Sequence, residues 1–498
     1  MTTIWLTLPI VISLLTAVVV FIAKRQLCLA ERISGVSAFS TLCVAAFLTY
    51  DVIHNGPVAV AFGQWAAPFG VVFVADLLTA AMVMVTAVIG LICVLYAVGD
   101  IRNKPSYATY HALLHVLLAG VYGAFLTGDI FNLYVWFEVM LIASFGLMVL
   151  DGSRHQIDGA VKYVVLNLLS TLFFLLAIGL LYGVTGTLNL ADLNAKAALI
   201  PSDTKTLLSG LFLFAFSIKA ALFPLFAWLP ASYHTLPSAV VALFAALLTK
   251  VGVYTLIRVF TLVFPLAGSG WQSTLMWVAG LTMLTGVLGA ASQYDIKKIL
   301  SFHIISQIGY MIMGLAIYTP LAIAGAIFYI VHHILVKANL FLIGGFVERK
   351  YGTSQLKQLG GVYKAMPWLA LLFFITAFSL AGFPPLSGFW GKFLVIKASL
   401  QIESYLLAGT ALLVGLLTVF SMSKIWNAVF WQKQTTEVDV QTMTKSTTYL
   451  YCIPIVTLTA MSLIIGLVAE PFYQFAMQAA VQLLEPTEYI QAVLRGGQ

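Results

Sequence analysis

Two lysines stand in the middle of adjacent apolar segments, and this restricts the fold more than any other feature of the chain. The stretch from Phe212 to Arg258, FLFAFSIKAALFPLFAWLPASYHTLPSAVVALFAALLTKVGVYTLIR, holds two runs long enough to cross a bilayer, centred on Lys219 and Lys250. A lysine at that depth costs about 2.5 to 3.5 kcal/mol on insertion, so it has to face water, a partner or a bundle interior. The first run also carries Pro224 and Pro230. Each removes a backbone donor and crowds the preceding turn, so the helix is expected to break just beyond the lysine. A broken helix beside a buried charge is a feature of transport proteins.

Composition sets the class. Of 498 residues, 61% are hydrophobic and only 9% charged, and the mean hydropathy is +1.01. That is too few charges for a soluble surface, and it predicts an all-α polytopic membrane protein. Cys28, Cys43, Cys93 and Cys452 are far apart and lack CxxC or Cys/His spacing, so no zinc, haem or iron–sulfur site is expected. His111 and His115 in HALLH have i, i+4 spacing but no third ligand nearby, and no metal is expected there either. Neither GxxxxGK[ST] nor a strand-borne GxGxxG occurs, which argues against nucleotide use. The first apolar run has no basic stretch ahead of it and reads as a retained helix rather than a signal peptide.

Apolar runs divided by polar punctuation predict about fourteen spans. They lie near 3–23, 33–53, 70–98, 108–127, 130–150, 160–183, 206–229, 237–262, 271–292, 299–317, 319–346, 366–398, 404–429 and 447–469. The twelfth is too long for one straight crossing. Its centre, AGFPPLSGFWGKF, should open at Pro384 and Pro385 just before Lys392. The seventh and twelfth spans are thus both interrupted by proline beside a lysine, a pattern that points to two repeated half-units. Loops after odd-numbered spans carry most of the cations, among them Lys24, Arg25, Arg102, Lys104, Lys297, Lys298, Arg349, Lys350, Lys433 and Lys445. The opposite side has Lys196, Lys205 and Arg495. Positive residues collect on the cytoplasmic side, so both termini are expected outside, and topology absorbs the net charge of +7. The segment 470–498 reads as a surface-lying helix.

Few ionisable groups lie deep. Glu138, in NLYVWFEVMLIASFG, is the one mid-span carboxylate, and it suits a pair with a buried lysine. A charged partner favours the protonated amine, whereas separation in an apolar setting favours the neutral one, so such a pair can switch a proton. In FYIVHHILVKANLFLIGG, His333 and Lys337 share one helix face, and a histidine there suits proton relay. His234, between spans seven and eight, is a candidate for the cytoplasmic mouth. Arg258, Lys397 and Lys424 lie near span ends, where their amines or guanidinium can snorkel. Asp76, Asp129 and Asp151 fall at span edges, where solvated carboxylates are expected. Glu138, Lys219, Lys250, His333, Lys337 and Lys392 must share partners and water, which predicts a hydrated polar axis inside the bundle.

With these residues in view, the chain resembles a known family. IKAALFPLFAWLPASYHTLPSAVVALFAALLTKVGVY, SFHIISQIGYM, HHILVKANLF and AGFPPLSGFWGKF look like the antiporter-like subunits shared by Mrp-type cation/proton antiporters and the membrane arm of respiratory complex I. The resemblance covers about residues 70 to 430. It implies two inverted five-helix repeats with broken helices seven and twelve. The chain then divides into 1–105 (helices one to three), 106–265 (first repeat), 266–430 (second repeat), and 431–498 (helix fourteen and an extracytoplasmic tail).

By the same resemblance, Glu138 and Lys219 correspond to the family's ion-pair couple, Lys250 to its bridging lysine, His333 and Lys337 to its relay, and Lys392 to the terminal residue that exchanges protons with one side. Lys392 stands where complex I subunits of this length carry Glu, which favours the Mrp side of the family. The implied function is proton movement in exchange for Na⁺ or Li⁺ efflux in a bacterial plasma membrane. It implies no cofactor, no nucleic acid and no covalent chemistry. The implied partners are the A, B, C, E, F and G type subunits of one complex. A redox-driven, complex I-like or hydrogenase pump is the alternative. Hard cations prefer oxygen ligands, and one deep carboxylate among lysines is a poor Na⁺ site, so the Na⁺ path is expected mostly in partner subunits or at their interface.

Overall fold

A computed structural model describes residues 2–102, 104–433 and 445–495. The loop 434–444 and the side chains of Lys445, expected on the cytoplasmic side, and Arg495, expected on the outer side, lie outside the described residues. The chain is helical almost throughout. It begins with α1 (Thr2–Ile22) and α2 (Leu27–Asn55), followed by a two-stranded antiparallel hairpin, β1 (Val58–Ala61) and β2 (Val72–Ala75), that pairs Val58 with Ala75. Then come α3 (Leu77–Asp100), α4 (Tyr107–Leu126), α5 (Ile130–Met148), α6 (Arg154–Thr185), the short α7 (Leu190–Ala197), α8 (Ser202–Ala220), α9 (Trp228–Ser232) and α10 (Ser238–Leu262). The second half runs α11 (Gly270–Ser292), α12 (Ile296–Ile317), α13 (Pro320–Tyr351), α14 (Val362–Ala365), α15 (Pro367–Ala381), α16 (Ser387–Gln401), α17 (Tyr405–Ile425), α18 (Lys445–Leu467), α19 (Ala469–Leu484) and α20 (Thr487–Arg495). Among the described residues, 12 helices are long and apolar enough to cross a membrane. α8 and the pair α15/α16 are the two interrupted elements.

The third span begins later than its hydropathy suggested. Val72 and Val74 are β-branched and Val72–Ala75 pairs as a strand, and Asp76 then caps α3 by accepting from the Thr79 N–H at 2.9 Å. The same device starts other helices. Asp129 accepts from Asn132 N at 2.7 Å, and Asp295 from Lys298 N at 3.0 Å. These two caps belong to matching constructions. Asp129 bridges Asn189 beyond α6, and Asp295 bridges Gln355 beyond α13, at the same sequence separation. Ile130 N donates to Leu188 O at 2.9 Å, as Ile296 N does to Ser354 O at 3.0 Å.

Both interruptions share one form. α8 stops where Ala221 turns left-handed at φ 58°, and Leu222 N reaches back to Ser217 O at 3.0 Å. α15 stops where Gly382 does so at φ 93°, and Phe383 N reaches back to Phe378 O at 3.1 Å. Pro224 lies in the first gap, and Pro384 and Pro385 in the second. Pro230 is not in the gap: it sits in the first turn of α9, where no intrahelical bond needs its missing N–H.

Burial ranks the helices. The most apolar windows of α10 and α12 are 94% buried and that of α13 is 89%, against 39% for α1, α6 and α11. The lysine-bearing α10 and α13 therefore form the centre, and the rim faces lipid or partners. The C-terminal segment does more than lie on the surface. α19 packs Ala476, Ala479, Ala480 and Leu483 against the bundle, and Tyr489 of α20 is 1% exposed. Small side chains let α19 approach its neighbours closely.

Candidate functional site

The centre of the bundle holds three of the expected residues together. Lys250 is fully buried in α10, and its Nζ donates to the Ala245 carbonyl. Across the α10–α13 contact, the charge of Lys250 bears on both His333 and Lys337. Among the described residues, neither ring nitrogen of His333 has a protein partner, and nor does Lys337 Nζ. Unpaired polar atoms in a dry core cost about 1 to 3 kcal/mol each, so these nitrogens favour water or one another as partners. The adjacent His332 is held instead: its Nδ1 lies 2.7 Å from Ser387 Oγ, which meets Ser379 Oγ at 3.0 Å and Ser462 Oγ at 2.9 Å.

Lys392 is placed by the second interruption. Its Nζ donates to Leu380 O at 3.0 Å and Ala381 O at 3.1 Å, carbonyls released where α15 ends. The amine also stands 4.6 Å from the Tyr310 ring centre and 5.9 Å from that of Tyr329. Gly382 is needed twice here, for its positive φ and because a Cβ would stand 2.9 Å from Lys392 Cδ.

Glu138 and Lys219 form a looser couple. Both are half-buried, and the Glu138 charge bears on Lys219. Among the described residues, no ion pair joins them at contact distance: Glu138 Oε1 has no protein partner, and Lys219 Nζ sits 5.4 Å from the Phe137 ring centre. Lys219 occupies the last turn of α8, where a cation suits the helix dipole.

At the end expected to be cytoplasmic, His234 Nδ1 is 2.9 Å from Pro230 O, and burial holds its imidazole below the ordinary histidine value. Beside it, a cavity of about 330 Å³ is lined by Asp100, Lys104, Asp151, Lys297, Glu348 and Arg349 among others. Lys297 pairs with Glu348 at 2.6 Å and donates to Leu236 O at 2.9 Å. From sequence, Lys104, Lys297 and Arg349 were read only as topology and Asp151 only as a span edge, because charged residues at helix ends carry that signal. Lys104 pairs with Asp151 at 2.6 Å, so Asp151 is partnered at the surface rather than merely solvated.

Arg258 and Asp76 depart most from the sequence expectation. Neither snorkels nor faces solvent: Arg258 is 4% exposed and Asp76 1%, and they form a bidentate pair at 2.6 and 2.7 Å. The reason is tertiary, since α10 carries Arg258 past the capped start of α3, and Tyr489 of α20 covers the guanidinium with its ring centre 5.0 Å away. Asp129 is likewise buried, as a helix cap. Asp76→Asn leaves Arg258 uncompensated and should destabilise the protein by about 3 to 5 kcal/mol. Thermal unfolding in detergent measures this, and an unchanged midpoint would contradict a structural ion pair. Lys424 does lie at a helix end, donating to Ala291 O at 2.7 Å and Gln293 O at 2.5 Å, and Lys397 is exposed. His111 and His115 both bond Ser34 Oγ at 2.9 Å, and no group of metal-ligating side chains occurs among the described residues.

A polar seam between α12 and α17 also went unnoticed in sequence. His303 Nε2 bonds Ser421 Oγ, Gln307 Nε2 reaches Thr418 Oγ1 at 3.5 Å, and Tyr310 donates to Ala411 O at 2.5 Å. Tyr329 of α13 joins the seam by donating to Gln307 Oε1. The signal was present in SFHIISQIGYM, which carries polar groups at i, i+4 and i+7 of a buried helix.

Comparison with known proteins agrees with this architecture. Residues 127–421 match the family model described as NADH:quinone oxidoreductase/Mrp antiporter, TM. A protein of Alkalihalophilus pseudofirmus, named as the D-type subunit of an Na(+)/H(+) antiporter, is 48% identical over 98% of this chain and 99% of its own. A chain in the structure of the Mrp complex from Dietzia sp. superposes with a TM-score of 0.90 at 34% identity, covering 98% of this chain and 99% of that one. A chain of the membrane-bound sulfane sulfur reductase, an archaeal respiratory membrane complex, gives 0.91 at 26% identity, with the same 98% and 99% coverage.

Proposed function

The chain belongs to the NADH:quinone oxidoreductase/Mrp antiporter family, and from that membership we propose that it is the proton-moving subunit of a multisubunit Na⁺(Li⁺)/H⁺ antiporter. It is an ion-transporter subunit rather than an enzyme, and it works among other membrane subunits. The observation that carries the reading is the central cluster of Lys250, His333 and Lys337. It is fully buried, and among the described residues three of its four side-chain nitrogens have no protein partner. A structural core would pair such groups; a proton path leaves them open to water and to one another.

In this reading, protons reach the core from the cytoplasmic mouth near His234 and from the Glu138–Lys219 couple. They pass along Lys250, His333 and Lys337, and exchange at Lys392. Each amine alternates between charged and neutral as its neighbours do, since like charges in a dry site cannot all be protonated at once. The two breaks lie beside the two lysines that mark the ends of the axis, Lys219 in the last turn of α8 and Lys392 of α16, which bonds the end carbonyls of α15. The matching caps, bridges and breaks support two repeated units, 106–265 and 266–430, of inverted orientation. The cation bias supports a bacterial plasma membrane protein with both termini outside.

The partners are proposed to be the A, B, C, E, F and G type subunits, with the Na⁺ path mostly among them, because this chain offers the cation few oxygen ligands at membrane depth. Accordingly, the purified chain reconstituted alone should show no Na⁺-dependent proton exchange, while vesicles with the whole gene cluster should. Exchange by the chain alone would overturn the division of labour. The likeness to the respiratory sulfane sulfur reductase supports one other reading, a redox-driven pump using the same axis. If Na⁺ leaves ΔpH unchanged in whole-cluster vesicles and an electron donor builds a gradient, that reading replaces the antiporter.

A further inference from the structure

The buried lysine axis ends at Lys392, and the α12–α17 seam starts there. Lys392 rests against the rings of Tyr310 and Tyr329. Tyr329 bonds Gln307, Gln307 reaches Thr418, one turn further His303 bonds Ser421, and Lys424 follows Ser421 at the end of α17. α12 and α17 run antiparallel, so these contacts form a ladder from mid-membrane to the helix end where Lys424 holds the last carbonyls of α11. His303, Gln307, Tyr310, Tyr329, Thr418 and Ser421 are all fully buried. Five polar side chains on the α12–α17 contact, joined by Tyr329 of α13, are more than packing requires, since apolar residues of similar volume serve a core as well or better.

We propose that this seam is a second proton route, joining Lys392 to the Lys424 end of the bundle, with His303 as its relay. The proposal rests on the proton-path reading above. His303 fits the role geometrically. Its Nε2 is engaged by Ser421, its Nδ1 is buried with no protein partner among the described residues, and it lies within electrostatic range of Lys337, Lys392 and Lys424 together. In one step, Nε2 accepts the proton of the Ser421 hydroxyl, Ser421 regains one from water at the Lys424 end, and the ring releases its Nδ1 proton toward the Lys392 side. One proton enters and one leaves, and the ring returns to neutrality as the other tautomer. Tyr329 and Gln307 complete the path by presenting hydroxyl and amide groups between the ring and the lysine. The consequence is that Lys392 has access to the cytoplasmic end without passing back through Lys337.

The test uses everted vesicles carrying the whole antiporter cluster, with Na⁺-induced ΔpH collapse read for wild type, His303→Gln, Ser421→Ala and Lys219→Ala, and subunit levels checked. His303→Gln keeps a hydrogen-bonding side chain of similar length but cannot relay a proton. It should slow exchange by about tenfold or more and raise the ratio of rates in H₂O and D₂O above the wild-type ratio, because proton passage becomes limiting. Ser421→Ala, which deletes one oxygen, should slow exchange in the same direction and carries the test if His303→Gln fails to assemble. Wild-type rate and isotope ratio in an assembled seam variant, with Lys219→Ala inactive, overturn the second route alone. An active Lys219→Ala overturns the proton-path reading instead.

Discussion

Lys219→Ala is expected to abolish Na⁺-driven proton exchange while leaving the chain inserted and the complex assembled. The two effects separate because they depend on different properties of one residue. Structurally, Lys219 contributes little: it is half-buried, makes no ion pair among the described residues at contact distance, and rests its amine over Phe137. Alanine is the best helix former. The loss is the favourable meeting of a cation with the end of α8, worth about 0.3 to 1 kcal/mol. Functionally, in the proposed path the amine is the titratable group that α8 brings to the axis, so its loss would leave Glu138 without its exchange partner. Removal of a proton-transferring group slows a step by about 10² to 10⁴-fold, which in vesicles reads as no exchange. Na⁺-induced collapse of ΔpH at normal subunit levels is the measurement, and wild-type collapse in the variant would refute a role for Lys219 in the path.

How much of this was legible in the sequence follows from the range of each signal. Interruptions next to Lys219 and Lys392 could be read because proline acts locally, on its own turn and the one before. Pro230 shows the limit of that rule, since a proline in the first turn of α9 starts a helix instead of ending one. Hydropathy located the spans but placed the start of the third too early, because Val72–Ala75 is as apolar as a helix and only its pairing with Val58–Ala61 shows it to be a strand. Lys250, His333 and Lys337 could be found because a charge in a long apolar run is costly wherever it points. Arg258 and Asp76 were misjudged because the pair joins α10 to α3, and no local pattern reports which helices meet. Hydroxyl and amide groups such as Ser421, Thr418 and Gln307 carry little penalty individually, so the α12–α17 seam emerged only once the helices were packed together.

Glu138→Gln should eliminate exchange as completely as Lys219→Ala, although the two side chains are not in contact in this structure. Glutamine preserves shape and hydrogen-bonding capacity, and Glu138 Oε1 has no protein partner to lose, so stability should change little. What disappears is the negative charge that Lys219 meets when the two approach. A charge pair at contact is worth about 4 kcal/mol at an effective dielectric of about 20, and 1.36 kcal/mol is one pKa unit. Closing and opening the pair therefore changes which group holds the proton. In the proposed cycle the separated arrangement, with Lys219 over Phe137, is the open half, and without Glu138 the closed half could not form. Since both substitutions disable the same switch, Glu138→Gln combined with Lys219→Ala should be no worse than either alone, as for groups that act as a unit. Measured on partially active variants, such as Glu138→Asp combined with Lys219→Arg, independent multiplication of the two losses would show that the residues act separately and that the switch lies elsewhere.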